Sequence, residues 1–272
     1  MKRKPTPDYT TLDRPDVLSV LFHPRPELSR SSSALAHEMR IPVGGKHTIG
    51  ARWHMGPANG PNLLFFHGNG EIVADYDDLG PLYTSLGINL LAVDYRGYGR
   101  SSGTPSVAAM MTDCHRILPF CEDWLYQHRY SGPLILMGRS LGSASVLELA
   151  AAYPDRIHGL ILESAFAYAA PLLRLLGIDP EQLGFNEATG FANLEKIKAY
   201  AGPTLIIHAE YDHIIPYTDS EALFAASPAQ SKRHVKIPGA NHNDIFLRGM
   251  TLYLDALQTF CRSCLASQSG TT

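Results

Sequence analysis

Short, continuous apolar runs recur along the chain: Leu63-Leu64-Phe65-Phe66, Ile88 to Val93, Leu134 to Met137, Leu160-Ile161-Leu162, Thr204 to Ile207 and Val235 to Ile237. Runs this short and this uniformly apolar suit strands covered on both faces in a mostly parallel sheet. Helix-length segments separate most of them: Tyr76 to Leu86, Val107 to Tyr130, Leu141 to Tyr153 and Ser220 to Ala226. A last helix is predicted from about Asp244 to Cys264. Ahead of this series, His37 to Val43 and Lys46 to Met55 read as two strands joined at Gly44-Gly45. The alternation predicts an α/β fold, with a mostly parallel central sheet of about eight strands and helices on both faces. Ligands of such sheets bind beyond the carboxyl ends of the strands, so the residues just after each run are the ones placed for chemistry.

Two stretches break the rhythm. Residues 164–203, between the strand ending near Glu163 and the one starting at Thr204, are too long for a simple strand-to-helix connection. They contain apolar helical pieces and predict a small helical cap over the strand ends, inserted into a main domain spanning 34–272. Residues 1–33 are rich in Pro, Ser and charge, with one apolar patch from Val17 to Phe22. They read as an extended leader that lays that patch on the body.

Composition narrows the function. Hydrophobic residues are 45% and charged residues 18%, which fits a globular protein rather than a disordered one. Lys plus Arg is 23 against 26 Asp plus Glu, a formal net charge of −3, which gives no footprint for nucleic acid or a polybasic membrane contact. No run is long enough for a spanning helix. The start, MKRKPTPDYT, is basic but has no apolar stretch after it, so a cytoplasmic location is expected. Four cysteines make no disulfide framework. Cys114 and Cys121 are expected to pack on one helix face, and Cys261-Arg262-Ser263-Cys264 closes a helix instead of opening one, which fits neither redox nor zinc chemistry. No metal and no organic cofactor is expected.

The chemistry gathers at four strand ends. Leu134 to Met137 runs into Gly138-Arg139-Ser140-Leu141-Gly142 and then a helix of small residues, the strand–turn–helix setting of a G-x-S-x-G nucleophile elbow. The turn is so tight that the residues two before and two after Ser140 must lack bulk. A serine hydroxyl needs a base. His242 lies after the last strand and before the final helix. His67, His208 and His213 also lie near strand ends but rank below it, His67 as a shaper of its glycine loop. Asp212 follows the Thr204 run and could orient the imidazole, with Glu210 as its competitor. His67-Gly68-Asn69-Gly70 follows the first parallel strand; the N–H groups of Asn69 and Leu141 would converge there as an oxyanion hole. The same loop lacks the Lys-Ser/Thr of a phosphate-binding motif.

Together these segments resemble the α/β-hydrolase superfamily. Asp94-Tyr95-Arg96-Gly97-Tyr98-Gly99-Arg100-Ser101-Ser102-Gly103 and Gly138-Arg139-Ser140-Leu141-Gly142-Ser143-Ala144 are similar to loops of the BEM46-like serine hydrolases, as is the stretch from Asn193 to Pro216. The resemblance covers about residues 35 to 262. It implies the α/β-hydrolase fold and a Ser140–His242–Asp212 triad. The activity it implies is cleavage of carboxylic esters or thioesters, as in esterases, thioesterases or lipases, with a small-molecule or lipid-like acyl substrate. Two positions depart from the family pattern, Ala209 after His208 and Asn241 before His242, both beside the candidate residues.

Phe166, Tyr168, Leu172, Leu173, Leu175 and Leu176 make the cap interval apolar. Either they line an acyl pocket, with Phe166, Leu172 and Leu175 as substrate contacts, or they only pack the cap onto the body. A peptidase or amidase on the same residues, and a binding protein on a hydrolase scaffold, remain the alternatives.

Overall fold

The computed structural model describes residues 6–28 and 36–269. The first helix, α1, is Pro15–Leu21. A hairpin of β1 (Ala36–Gly44) and β2 (His47–His54) follows, then β3 (Asn62–Phe66), α2 (Gly80–Ser85), β4 (Asn89–Val93) and α3 (Val107–Gln127). Next come β5 (Leu134–Arg139), α4 (Gly142–Ala152) and β6 (Gly159–Glu163). The interval before β7 (Thr204–Ala209) carries three short helices, α5 (Ala169–Leu175), α6 (Pro180–Leu183) and α7 (Asn193–Ile197). The chain closes with α8 (Tyr217–Ala226), β8 (Lys232–Ile237) and α9 (Ile245–Ser269).

The eight strands form one sheet in the order β1-β2-β4-β3-β5-β6-β7-β8. The first two are antiparallel to their neighbours and the rest are parallel. Side chains alternate across the pleat. Leu64 and Phe66 of β3 enter one core with Leu136 and Leu162, while Leu63 and Phe65 enter the other with Ile135 and Ile161. Helices α3 and α4 cover the first face; α2 and α9 cover the second. Being buried on both sides is what makes these strands apolar at every position. The parallel register sets Phe66 beside Gly138, Arg139 beside Glu163 and Ala209 beside Ile237, so the loops after β3, β5, β6, β7 and β8 emerge along one edge. Among the described residues no helix is long and apolar enough to cross a membrane.

Two expected elements take different forms. The segment Tyr76 to Leu86 is a 3₁₀ turn (Val73–Tyr76) followed by the short α2, broken where Gly80 packs against the buried His54 ring. A Cβ at Gly80 would meet that ring at 2.1 Å, so only glycine allows the approach. The apolar patch of the leader is helical rather than extended, because Pro15 opens a turn of α-helix that aims Val17 and Leu21 inward together. Residues 1–5 and 29–33 of the leader lie outside the described residues.

The described part of the leader is tied to the body by side chains as well as by packing. Asp13 accepts hydrogen bonds from Val107 N (2.6 Å) and Ala108 N (3.2 Å), so it caps α3 from a distant part of the chain. Glu27, its side chain 2% exposed, lies 2.7 Å from Arg52 Nη2 and 3.3 Å from Arg100 Nη2. His23 N donates to Asn69 Oδ1 and Asn69 Nδ2 donates to Leu21 O. Loss of the cap in Asp13→Ala is expected to lower stability by about 1 kcal/mol and to speed proteolysis within residues 6–28. Chemical denaturation and limited trypsin digestion of the variant measure both.

Candidate active site

The turn after β5 is built from the glycines outward. Ser140 has φ of 49°, a left-handed conformation that costs a non-glycine residue roughly 1–3 kcal/mol. It is held by hydrogen bonds on both sides. Ser140 N donates to Glu163 O at 2.8 Å, and Ser140 O accepts from Ser143 N and Ser143 Oγ at 3.0 and 2.6 Å. A Cβ on Gly142 would stand 2.0 Å from Phe66 O, and one on Gly138 2.5 Å from Gly142 O. The start of α4 therefore lies directly against the end of β3, and that contact lifts the Ser140 hydroxyl off the sheet edge.

Three side chains from three strand ends form one hydrogen-bonded line. His242 Nδ1 lies 2.7 Å from Asp212 Oδ2, and His242 Nε2 lies 3.1 Å from Ser140 Oγ. A carboxylate only accepts, so Nδ1–H donates to Asp212 and Nε2 is free to accept from the serine. Asp212 is fully buried. Burial alone would raise its carboxyl; hydrogen bonds from His208, His242 and the Ile215 N–H outweigh this and hold it well below the usual carboxylate range. Its other oxygen accepts from Ile214 N at 3.0 Å and Ile215 N at 2.8 Å, fixing the plane of the group. Glu210 turns away and accepts from Gly239 N in the neighbouring turn. His208 stands behind Asp212, its Nε2 2.9 Å from Ile215 O and 3.4 Å from Asp212 Oδ2. His213 is exposed.

Asn241, one of the departures from the family pattern, builds the histidine loop. Its N and Nδ2 donate to the two carboxylate oxygens of Asp244, and its Oδ1 accepts from Asn243 N.

The loop after β3 is equally fixed. The buried His67 ring spans Gly68 O (2.8 Å) and Asp94 Oδ1 (3.1 Å). The Asn69 side chain is held by Leu21, His23 and Tyr98. Its backbone N–H and that of Leu141 meet no acceptor among the described residues, and both residues border the cavity at Ser140.

That cavity has a volume of about 100 Å³. Its wall is apolar and includes Phe166, Leu172 and Leu175, together with Leu173 and Leu176; Tyr168 is not part of it. Pattern reading does not reach five further wall residues: Leu21 from the leader, Ala169 at the start of α5, Phe191 before α7, and Ile214 and Ile215 after Asp212. Leu21 belongs to an apolar patch visible in the sequence, but nothing local says where the patch docks.

The cysteines lie away from this edge and are buried and unpaired. Burial pushes the Cys264 thiol up to about 11 and raises the other three as well, so all four sit as packing groups.

Comparison with known proteins gives the class. The family model described as Serine aminopeptidase, S33, matches residues 59–180. An uncharacterized protein of Mycobacterium tuberculosis is 32% identical over 219 residues, covering 76% of this chain and 72% of its own. Protein bem46 of Schizosaccharomyces pombe is 29% identical over 198 residues, covering 70% of this chain and 64% of its own. The structure of Est1E from Butyrivibrio proteoclasticus with ferulic acid bound superposes with a TM-score of 0.68 at 20% identity, over 84% of this chain and 99% of that one. The chain belongs to one family with the M. tuberculosis protein, within the α/β-hydrolase superfamily, and protein bem46 is a further relative. The family match and the relatives support a hydrolase-type activity and leave the bond cleaved open.

Gly142→Ala tests the elbow. The added methyl meets the backbone carbonyl of Phe66 rather than a side chain that could swing away. The variant is expected to lose several kcal/mol of stability or, where it folds, to lose reactivity at Ser140. Thermal melts and active-site titration distinguish the two.

Proposed function

We propose that the protein is a serine hydrolase of carboxylic esters or thioesters, with Ser140 as nucleophile, His242 as base and Asp212 as its orienting acid. The observation that carries this reading is the line Ser140 Oγ–His242 Nε2–His242 Nδ1–Asp212 Oδ2, with contacts of 3.1 and 2.7 Å and a buried, ionised carboxylate at its end.

As Ser140 Oγ attacks the carbonyl carbon, His242 Nε2 takes its proton, and the imidazolium is stabilised by Asp212. Charge developing on the carbonyl oxygen is met by the Asn69 and Leu141 N–H groups, assisted by the positive N-terminal end of α4. His242 returns the proton to the leaving alcohol or thiol, which leaves an acyl-serine. Water, deprotonated by the same imidazole, then releases the acid. Residues 164–203 act as a cap, and Phe166, Leu172 and Leu175 contact the acyl chain.

An apolar cavity opening at the nucleophile favours an acyl group over a peptide. A serine aminopeptidase, the description carried by the matching family model, must also hold a free ammonium group. Here the wall offers hydrocarbon, with Asn69 and Ser140 as its polar members.

A fluorophosphonate probe should label the wild type and leave Ser140→Ala unlabelled. Asp212→Asn should lower kcat on p-nitrophenyl esters by roughly 10³- to 10⁴-fold. A well-folded wild type that neither labels nor turns over esters, thioesters or amides would overturn the reading in favour of a binding protein.

The cavity also sets an acyl-length preference. Each methylene buried in it is worth about 0.8 kcal/mol, or roughly fourfold in kcat/KM. A volume of about 100 Å³ is smaller than the ~150 Å³ that houses a benzene ring. Selectivity should therefore climb over the shortest acyl chains and flatten once the chain passes the exposed Leu175. An acyl series run in parallel on esters, thioesters and amides checks this; a profile flat from acetyl onward removes the pocket assignment.

A further inference from the structure

The first x of the G-x-S-x-G turn is Arg139, the last residue of β5. Its side chain is 11% exposed and turns back beneath the candidate site. Each arm of the guanidinium faces a different segment. Nε donates to Glu71 Oε1 at 2.7 Å, Nη2 donates to His242 O at 3.1 Å, and Nη1 lies 3.5 Å from Glu163 Oε1. The two carboxylates carry the contacts further. Glu71 Oε2 accepts from Gly68 N and from the Tyr76 hydroxyl, both at 2.7 Å, and Glu163 Oε2 accepts from the Tyr253 hydroxyl at 2.6 Å. Gly68 immediately precedes Asn69, and the backbone carbonyl of Glu163 holds Ser140 N.

The charges fit this arrangement. Burial raises the Glu71 carboxyl, but Arg139, Tyr76 and the Gly68 N–H outweigh it and leave it below its ordinary range, so it stays an anion. Burial dominates at Glu163 and raises it despite Arg139. Glu71 is accordingly the firm partner, and Glu163, too far for a hydrogen bond from Nη1, is the weaker one.

We propose that Arg139 is a positioning residue which locks the histidine loop and the Gly68–Asn69 loop to the nucleophile turn through one buried guanidinium. It rests on the reading of Ser140 and His242 given above. The ring of His242 is fixed by Asp212, but the backbone of its loop has Arg139 as the anchor on the nucleophile side. Only a planar fork with several donors reaches Glu71 and the His242 carbonyl at once; a lysine ammonium keeps the charge but is a single point. Displacements of about 1 Å in such a site cost on the order of 10²-fold in rate.

Steady-state kinetics of Arg139→Lys, Arg139→Met, Glu71→Gln and the Arg139→Met/Glu71→Gln double variant on a soluble short-chain ester test this, each paired with a thermal melt. Arg139→Lys should lose roughly 10- to 100-fold in kcat with KM within about twofold, because the loops it holds act on the transition state. Glu71→Gln keeps the guanidinium and its bond to the His242 carbonyl while removing the paired charge and one of the acceptors shared by Arg139, Gly68 and Tyr76, so it should lose less. The double variant should lose no more than Arg139→Met, since both residues work through one contact. A folded Arg139→Lys with wild-type kcat overturns the proposal. So does a loss of activity that merely tracks the folded fraction, or losses that multiply in the double variant. Should the Met variants fail to fold, Arg139→Lys and Glu71→Gln carry the test. Failure of the underlying reading shows separately: Ser140→Ala would then retain turnover, and the positioning role would fall with it.

Discussion

The close approach of Gly142 to the Phe66 carbonyl is the contact on which the rest of the candidate site depends. It forces the chain to leave β5 and enter α4 with no room for side chains on either flank, and it drives Ser140 into a left-handed conformation. That strain is held by backbone hydrogen bonds to β6 and to the first turn of α4. Because the same contact seats the start of α4 at the end of β3, it also brings the Leu141 N–H and the Gly68–Asn69 loop to one place. The proposed nucleophile and the proposed anion-binding groups are thus set by a single piece of backbone packing, before any side chain is chosen for chemistry.

Buried charge does the remaining alignment. Asp212 is withdrawn from water yet stays ionised, because the His242 imidazole and two backbone N–H groups donate to it and His208 stands 3.4 Å behind. Arg139, Glu71 and Glu163 form a second buried group beneath the same loops, and Glu27, Arg52 and Arg100 a third that fastens the leader. Such groups contribute little net stability, since desolvation consumes most of their attraction. Their geometric effect is larger. An unpaired partner in any of them would be expensive, so each holds its loops in one arrangement.

The leader connects these parts. Leu21 forms part of the cavity wall, and its carbonyl and the His23 N–H occupy the side chain of Asn69, a second residue of that wall. The cavity is therefore assembled from sequence-distant pieces: residues near 21, near 70, near 140, between 166 and 191, and near 215.

The sheet and its strand ends were legible in the chain because burial on both faces leaves an uninterrupted apolar signature at β3 to β7. The G-x-S-x-G turn was equally legible, because its steric demand falls on two glycines close in sequence. Asp212 was already preferred to Glu210 in the sequence, and the structure adds that Glu210 turns to Gly239 and Asp212 to His242. The leader helix had a local signal in Pro15 and the Val17–Leu21 spacing that an extended reading passed over, whereas the break at Gly80, the docking of Leu21 and the wall positions of Phe191, Ile214 and Ile215 depend on neighbours far along the chain. So does the place of Arg139: in the sequence it is an unspecified position beside a serine, and only folding brings Glu71, Glu163 and the His242 carbonyl around it. The sequence by itself determined the order of elements and the candidate residues, since these follow from local periodicity and steric rules. Which groups touch was decided by the tertiary structure, because hydrogen bonds and buried charges act across space and leave no periodic trace along the chain.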